Sequence, residues 1–262
     1  MRTSSKLICA NLDILLLSSH GKKKHFKLDP KFPDRLVDWG FSSTMYFLQS
    51  FLVDYSNRGL SKKTDRVVAL SGLAPRIARA LGCCESFGIF GLYLHRNLLW
   101  RRSGTTERIK YKPSEVPSWS WMAYTGGIEF MEDAYGKLEI FKNLKFSEGD
   151  QKALVTNVWE FRNCYLKEAK LGPTRRQILE SRGMEIGWIM YDVEDEKDLR
   201  RRQSVVVGRT RQGDGPESNG LDNRGYHILL VRQRGENEYE RVGIGMVQQG
   251  YLLRQQLEVR IL

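Results

Sequence analysis

The chain has 262 residues, enough for one large domain or two small ones with a sizeable core. A hydrophobic fraction of 41% with 11% aromatics excludes a disordered chain, and four cysteines are too few for a disulfide scaffold of this size. The net charge of +11 lies wholly in the first half: residues 1–125 carry 20 Lys and Arg against 9 Asp and Glu, whereas residues 126–262 carry 22 of each. That asymmetry points to an acidic neighbour, to nucleic acid, or to a solvated basic surface.

Residues 1–35 read as a tail or linker. In MRTSSKLICANLDILLLSSHGKKKH, Asn11 and Asp13 interrupt the apolar stretch and no clean small-residue cleavage site follows, so no signal peptide is expected. No run of about 18 uninterrupted apolar residues exists, so neither a spanning helix nor a membrane partner is expected. GKKKHFKLDPKFP is basic and proline-punctuated, a solvated linker whose lysine run is a weak nuclear-import or anion-binding signal.

Residues 36–125 read as a helical region leading into a tryptophan-rich strand. Met45, Leu48, Phe51, Leu52 and Tyr55 recur at helical spacing, with Asn57 and Gly59 as stops. Val67, Leu70, Leu73, Ile77 and Leu81 form a second stripe, with Thr64 as cap and Gly82 as end. Pro75 should split or kink that helix, because it lacks an N–H and clashes with the preceding turn. A short helix or turn is expected over Gly91 to Asn97, then a strand through Leu98–Arg101.

The segment EVPSWSWMAY holds two of the chain's six tryptophans. Read as a strand opened by Pro117, it puts Trp119 and Trp121 on one face and Ser118 and Ser120 on the other. Small and apolar neighbours, with no interleaved cations, favour a core strand over a stacking platform for bases or sugars.

Residues 126–262 read as a mainly antiparallel β region packed with the preceding region as one unit. GKLEIFKN, KALVTNVWEF, EIGWIMYD, QSVVVGR, YHILLVRQ and YERVGIGMV are short β-branched or aromatic runs, too closely spaced for regular helical crossovers. The fold class expected is therefore α+β: N-terminal amphipathic helices packed on a sandwich or barrel-like antiparallel sheet. GRTRQGDGPESNGLDNRG reads as a mobile loop. Gly243 and Gly245 share one strand face, which predicts close approach of a neighbouring backbone. No internal repeat is present.

These segments also carry a family resemblance. VPSWSWMAY resembles the Pro-Ser-Trp-Ser-Trp segment downstream of the HET domain in fungal heterokaryon-incompatibility proteins. FLVDYSNRGLSKKTDRVVALSGLA, GLYLHRNLLW, GWIMYD and YERVGIGMV are similar to further family segments in the same order, and together span about residues 36–250. Tyr93 stands where the family usually has Trp. The resemblance implies the C-terminal region of such a protein, with the HET domain, the part associated with nonself recognition and cell death, lying N-terminal to it. The residues ahead of the matching region are too few for that domain, so the chain is expected to represent the accessory region without it, and no functional residue is carried over.

Reaction chemistry is weakly represented. Cys83, Cys84, Cys164 and His95 lack zinc-site spacing, and adjacent cysteines cannot easily bridge each other; buried free thiols are expected instead. The pairs Cys84–His95 and Cys164–His227 are conceivable thiol–imidazole couples without a local signature. Asp192, Glu194, Asp195, Glu196 and Asp198 crowd YDVEDEKD and read as a solvated loop. The glycine clusters match no phosphate-binding pattern. No catalytic, cofactor-binding or metal residue is assigned. The expectation is a non-enzymatic, cytoplasmic or nuclear protein of the heterokaryon-incompatibility type. Its partner would be a protein, either acidic or a HET domain in trans. A nucleic-acid module using the basic half is the alternative, and an enzyme of unknown reaction the third reading.

Overall fold

A computed structural model describes residues 32–60, 62–111, 116–131, 138–167, 175–193, 202–210 and 225–262. The expectations for the tail before residue 32, for Glu194 to Asp198 and for the loop over 211–224 lie outside the described residues.

A 3-10 helix over Asp34–Trp39 runs into α1, Gly40–Asn57. The predicted stripe is its inner face: Met45, Leu48 and Leu52 are buried, with Phe51 and Tyr55 packed against them. The second stripe forms two helices, α2 over Asp65–Ser71 and α3 over Ala74–Ala80. Pro75 sits in the first turn of α3, where its missing N–H leaves no helical bond unmade. Thr64 precedes α2 with helical backbone angles and no side-chain cap, so the expected cap bond is not made. Gly82 closes α3 with φ +61°, and Cys83 N–H donates to the Ala78 carbonyl at 3.0 Å. That left-handed turn suits a residue without Cβ.

β1 (Glu85–Ser86) and β2 (Ile89–Phe90) make a tight hairpin through Phe87 and Gly88. A 3-10 turn at Gly91–Tyr93 leads into α4, Leu94–Asn97, as the sequence predicts. β3 (Trp100–Arg102) then pairs antiparallel with β4 (Ile128–Phe130).

The main sheet holds β5 (Leu138–Ile140), β6 (Lys145–Ser147), β7 (Asp150–Phe161), β8 (Cys164–Leu166), β9 (Arg176–Glu180), β10 (Glu185–Tyr191), β11 (Gln203–Thr210), β12 (Gly225–Gly235), β13 (Glu238–Gln248) and β14 (Leu252–Ile261). Its order is β12-β11-β7-β14-β13-β10-β9-β8, and β12 also pairs with β13. Strands β12, β11, β7, β14 and β13 thus close a ring, and β10, β9 and β8 extend from it. Every pairing is antiparallel except a short parallel contact between β13 and β14 at Glu238 and Tyr239. The α+β class with a barrel-like antiparallel sheet is as the sequence predicts.

The central strands are buried on both faces. Along β12, Tyr226, Ile228 and Leu230 enter one core with Val206, Ile189 and Tyr191. Leu229 and Val231 enter the other with Val205, Val207, Trp188 and Met190, and this second core also contains Leu48, Leu52, Leu70 and Ile77 of the helices. Strand residues alone form nearly all of the first core, and the helices cover the other face of the sheet, which explains why HILLV is a continuous apolar run rather than an alternating one. The glycine expectation also holds. A Cβ at Gly243 would lie 2.5 Å from the Met190 carbonyl oxygen, and one at Gly245 would meet the Trp188 carbonyl.

Candidate recognition site

The tryptophan segment is buried, but it is not a strand. Ser120 N–H donates to the Pro117 carbonyl at 3.0 Å, closing a turn, and Trp121–Ala123 continue as a 3-10 helix. Ser120 starts that helix by accepting the Met122 N–H at 3.0 Å, and its own hydroxyl donates to the Phe87 carbonyl at 2.8 Å. Proline and serine in tight succession favour this turn chemistry over an extended strand.

The two indoles consequently diverge. Trp119 Nε1 donates to the Lys152 carbonyl of β7 at 3.0 Å, and its ring meets Phe87 and Phe146 edge-on. Trp121 instead meets Tyr55 of α1, with the Arg66 guanidinium 5.3 Å from its ring centre. One Trp therefore anchors the turn to the sheet and the other to the helices. Both are fully buried, so neither offers a face to a ligand.

Two arginines lock the layers from inside. Arg66 donates to the carbonyls of Tyr124, Ser56 (2.7 Å) and Gly126 (2.7 Å), and burial pushes its guanidinium downward. Arg241 of β13 pairs with Asp192 and donates to the carbonyls of Leu98 (2.6 Å) and Trp100 (2.7 Å). Asp192, read from sequence as part of a solvated acidic loop, is instead buried beside Arg241. Its burial pushes the carboxyl up while Arg241 opposes the shift. The correction has a simple cause: Asp192 directly follows the end of β10, where the chain is still inside the core.

Adjacent strand residues face opposite ways, so Glu240 points away from the Arg241 pair. Register sets Arg232 of β12 directly across from Glu240. Arg232 Nε lies 2.7 Å from Glu240 Oε1, Arg108 Nη1 3.0 Å from Oε2, and Arg234 Nε 3.7 Å from Oε2. The Glu240 side chain is 6% exposed, whereas Arg108, Arg232 and Arg234 are 37%, 41% and 45% exposed. Burial alone would raise the Glu240 carboxyl, but hydrogen bonds and charge from Arg232 and Arg108 hold it below the usual carboxylate range. Arg202 lies close enough that burial first, and then the Arg232 charge, push its guanidinium downward. One buried carboxylate thus gathers three partly exposed arginine side chains beside the β12–β13 hairpin.

Sequence reasoning missed this group. Its signal was the i, i+2 spacing of Arg232 and Arg234, which sets both on one strand face opposite Glu240. Arg108 arrives from a distant loop that bridges to Tyr124, so nothing local announces it.

The thiol and imidazole candidates lie on different elements, and no hydrogen bond between a thiol and an imidazole is seen among the described residues. Cys84 precedes β1 and is exposed, and His95 lies on α4, where burial pushes its imidazole downward. Cys164 lies on β8 and is pushed up by burial to about 11. His227 lies on β12 with Nε2 3.1 Å from the Thr210 hydroxyl. Among the described residues no three His, Cys, Asp or Glu side chains gather in a metal-binding group, and no helix is long and apolar enough to cross a membrane. No family model, curated protein or solved structure matches the chain.

Proposed function

We propose that the chain is a non-enzymatic recognition module of the heterokaryon-incompatibility type, acting in the cytoplasm in nonself recognition. Its partner is a protein, either an acidic one or a HET domain supplied in trans. The observation that carries this reading is the group of Arg108, Arg232 and Arg234 oriented by the buried Glu240. Arginine forks suit bidentate carboxylate recognition, and prior ordering by Glu240 lowers the entropy lost on binding.

Three further observations favour it over the alternatives. Buried Trp119 and Trp121 leave no stacking platform of the kind that single-stranded nucleic acid uses. Arg66 and Arg102, two cations of the basic half, are themselves buried, so its charge excess is not all surface charge. The Cys164 thiol, pushed up by burial to about 11, is a poor nucleophile at neutral pH.

The test titrates the protein with a separately expressed fungal HET domain by calorimetry, beside the Arg232→Glu/Arg234→Glu double variant. Binding is expected to weaken at least about tenfold in the variant and to weaken with added salt. Failure to bind the HET domain, together with sequence-selective duplex binding at physiological salt, would overturn the reading in favour of nucleic acid.

A further inference from the structure

We propose that Cys83 and Cys84 form a vicinal dithiol that a small-molecule disulfide of the glutathione class closes reversibly into a disulfide. The pair lies between the end of α3 and the start of β1. Cys84 is exposed and Cys83 half-buried. A Cβ at Gly91 would lie 2.5 Å from Cys84 Sγ, so that sulfur rests on the bare Gly91 backbone. Burial pushes the Cys83 thiol up, and backbone N–H groups of Leu92 and Gly91 oppose that shift.

Accessibility sets the order of events. The Cys84 thiolate attacks one sulfur of the oxidant, whose S–S bond breaks and releases one glutathione thiolate. Cys83 loses its proton to solvent and attacks Cys84 Sγ, and the second glutathione leaves as thiolate. Two protein thiols and one small disulfide become one protein disulfide and two small thiols, so atoms and electrons balance.

Adjacent Cα atoms stand about 3.8 Å apart, closer than the roughly 4.4–6.8 Å that disulfides prefer. Such a bridge is strained and easily reduced, which suits a switch and not a staple. The strain has a route into the fold. Gly91 N–H donates to the Cys84 carbonyl at 2.8 Å. The hairpin that begins at Glu85 carries Phe87, whose carbonyl accepts the Ser120 hydroxyl and whose ring packs on Trp119. Ring closure therefore pulls on a hairpin that grips the tryptophan turn.

The test exposes the full chain to graded ratios of reduced to oxidised glutathione, traps free thiols by alkylation, and digests with trypsin. Residues 80–96 contain no internal Lys or Arg, so both cysteines leave in one peptide. The expected result is a peptide lighter by two hydrogen atoms with no glutathione attached, reversed by excess thiol, with a parallel change in tryptophan fluorescence. Cys83→Ser is expected to stop at a glutathione adduct on Cys84 with unchanged fluorescence. A lasting adduct on Cys84 of the unsubstituted protein would overturn the proposal. So would a bridge from either cysteine to Cys9 or Cys164, or an unaltered peptide at ratios that oxidise exposed thiols. Ring closure without a fluorescence change would overturn its coupling to the turn.

Discussion

Arg241 and Asp192 meet through two hydrogen bonds, Nε to Oδ2 at 2.9 Å and Nη2 to Oδ1 at 3.1 Å, while the guanidinium lies 3.6 Å from the Trp100 ring centre. Neither residue has meaningful access to water. Removing one partner strands the other charge inside the core, so Asp192→Asn or Arg241→Met should each destabilise by about 3–5 kcal/mol. Chemical denaturation is the measurement. The Asp192→Leu/Arg241→Met double variant should lose less than the two single variants combined, because no lone charge remains.

Trp119→Ala and Trp121→Ala should each cost about 3–5 kcal/mol, as deletions of large buried aromatics do. Their serine neighbours are not the neutral positions that a strand reading suggests. Ser118 donates to the Leu262 carbonyl and accepts the Arg241 N–H at 2.8 Å, and Ser120 bridges Phe87 and Met122. Ser118→Ala and Ser120→Ala should therefore each cost about 1–3 kcal/mol. Thermal melts of the four variants decide it: serine variants melting like the parent would show that these bonds contribute nothing.

Gly243 and Gly245 face the backbone of β10 so closely that any Cβ displaces a carbonyl. Gly243→Ala and Gly245→Ala should destabilise by at least the roughly 1–3 kcal/mol typical of overpacking. Gly149 is the control. It has nothing within 4 Å of its Cβ position, although its φ of +81° carries its own strain. Circular dichroism melts should therefore rank Gly149→Ala as milder than both strand variants.

The Glu240 carboxyl is held below its ordinary range, so the unfolded chain binds its proton more readily. Its contribution is present above the unfolded value of about 4.3 and is lost as pH falls through the folded value. Asp192, shifted upward, contributes with the opposite sign: its share is present at low pH and is lost as pH rises through its folded value. Stability–pH profiles of parent and Glu240→Gln should differ by a flatter acid limb in the variant. An identical acid limb would show that Arg108 and Arg232 do not stabilise the ionised carboxylate.

Cys84 is exposed, whereas Cys164 is pushed up to about 11 by burial. The thiolate is the reactive form. Iodoacetamide labelling at mild alkaline pH should modify Cys84 at least about ten times faster than Cys164, read by peptide mass mapping. Equal rates would contradict the shielding of the Cys164 thiol.

Much of the fold is legible in the residues because local pattern and burial agree. The stripe on α1, the break at Pro75, the turn at Gly82 and six strands follow from spacing and turn chemistry alone. β14 escapes because LLRQQLEVRI breaks alternation where its register shifts between Arg254 and Glu258. β6, β8 and β9 escape because strands of three to five residues carry too little pattern.

The sequence by itself determined that Trp119 and Trp121 are core residues, that Gly243 and Gly245 meet a neighbouring backbone, and that helices cover an antiparallel sheet. These follow from side-chain size, polarity and period, which act locally. Only the tertiary structure decided that the tryptophans part company, that Asp192 is buried against Arg241, and that Arg108 joins Arg232 and Arg234 around Glu240. Asp192 and Arg241 are 49 residues apart and Arg108 and Glu240 are 132 apart. A buried charge is tolerated only where a partner arrives from elsewhere in the chain, so its identity is fixed by strand register and layer packing and has no local signature.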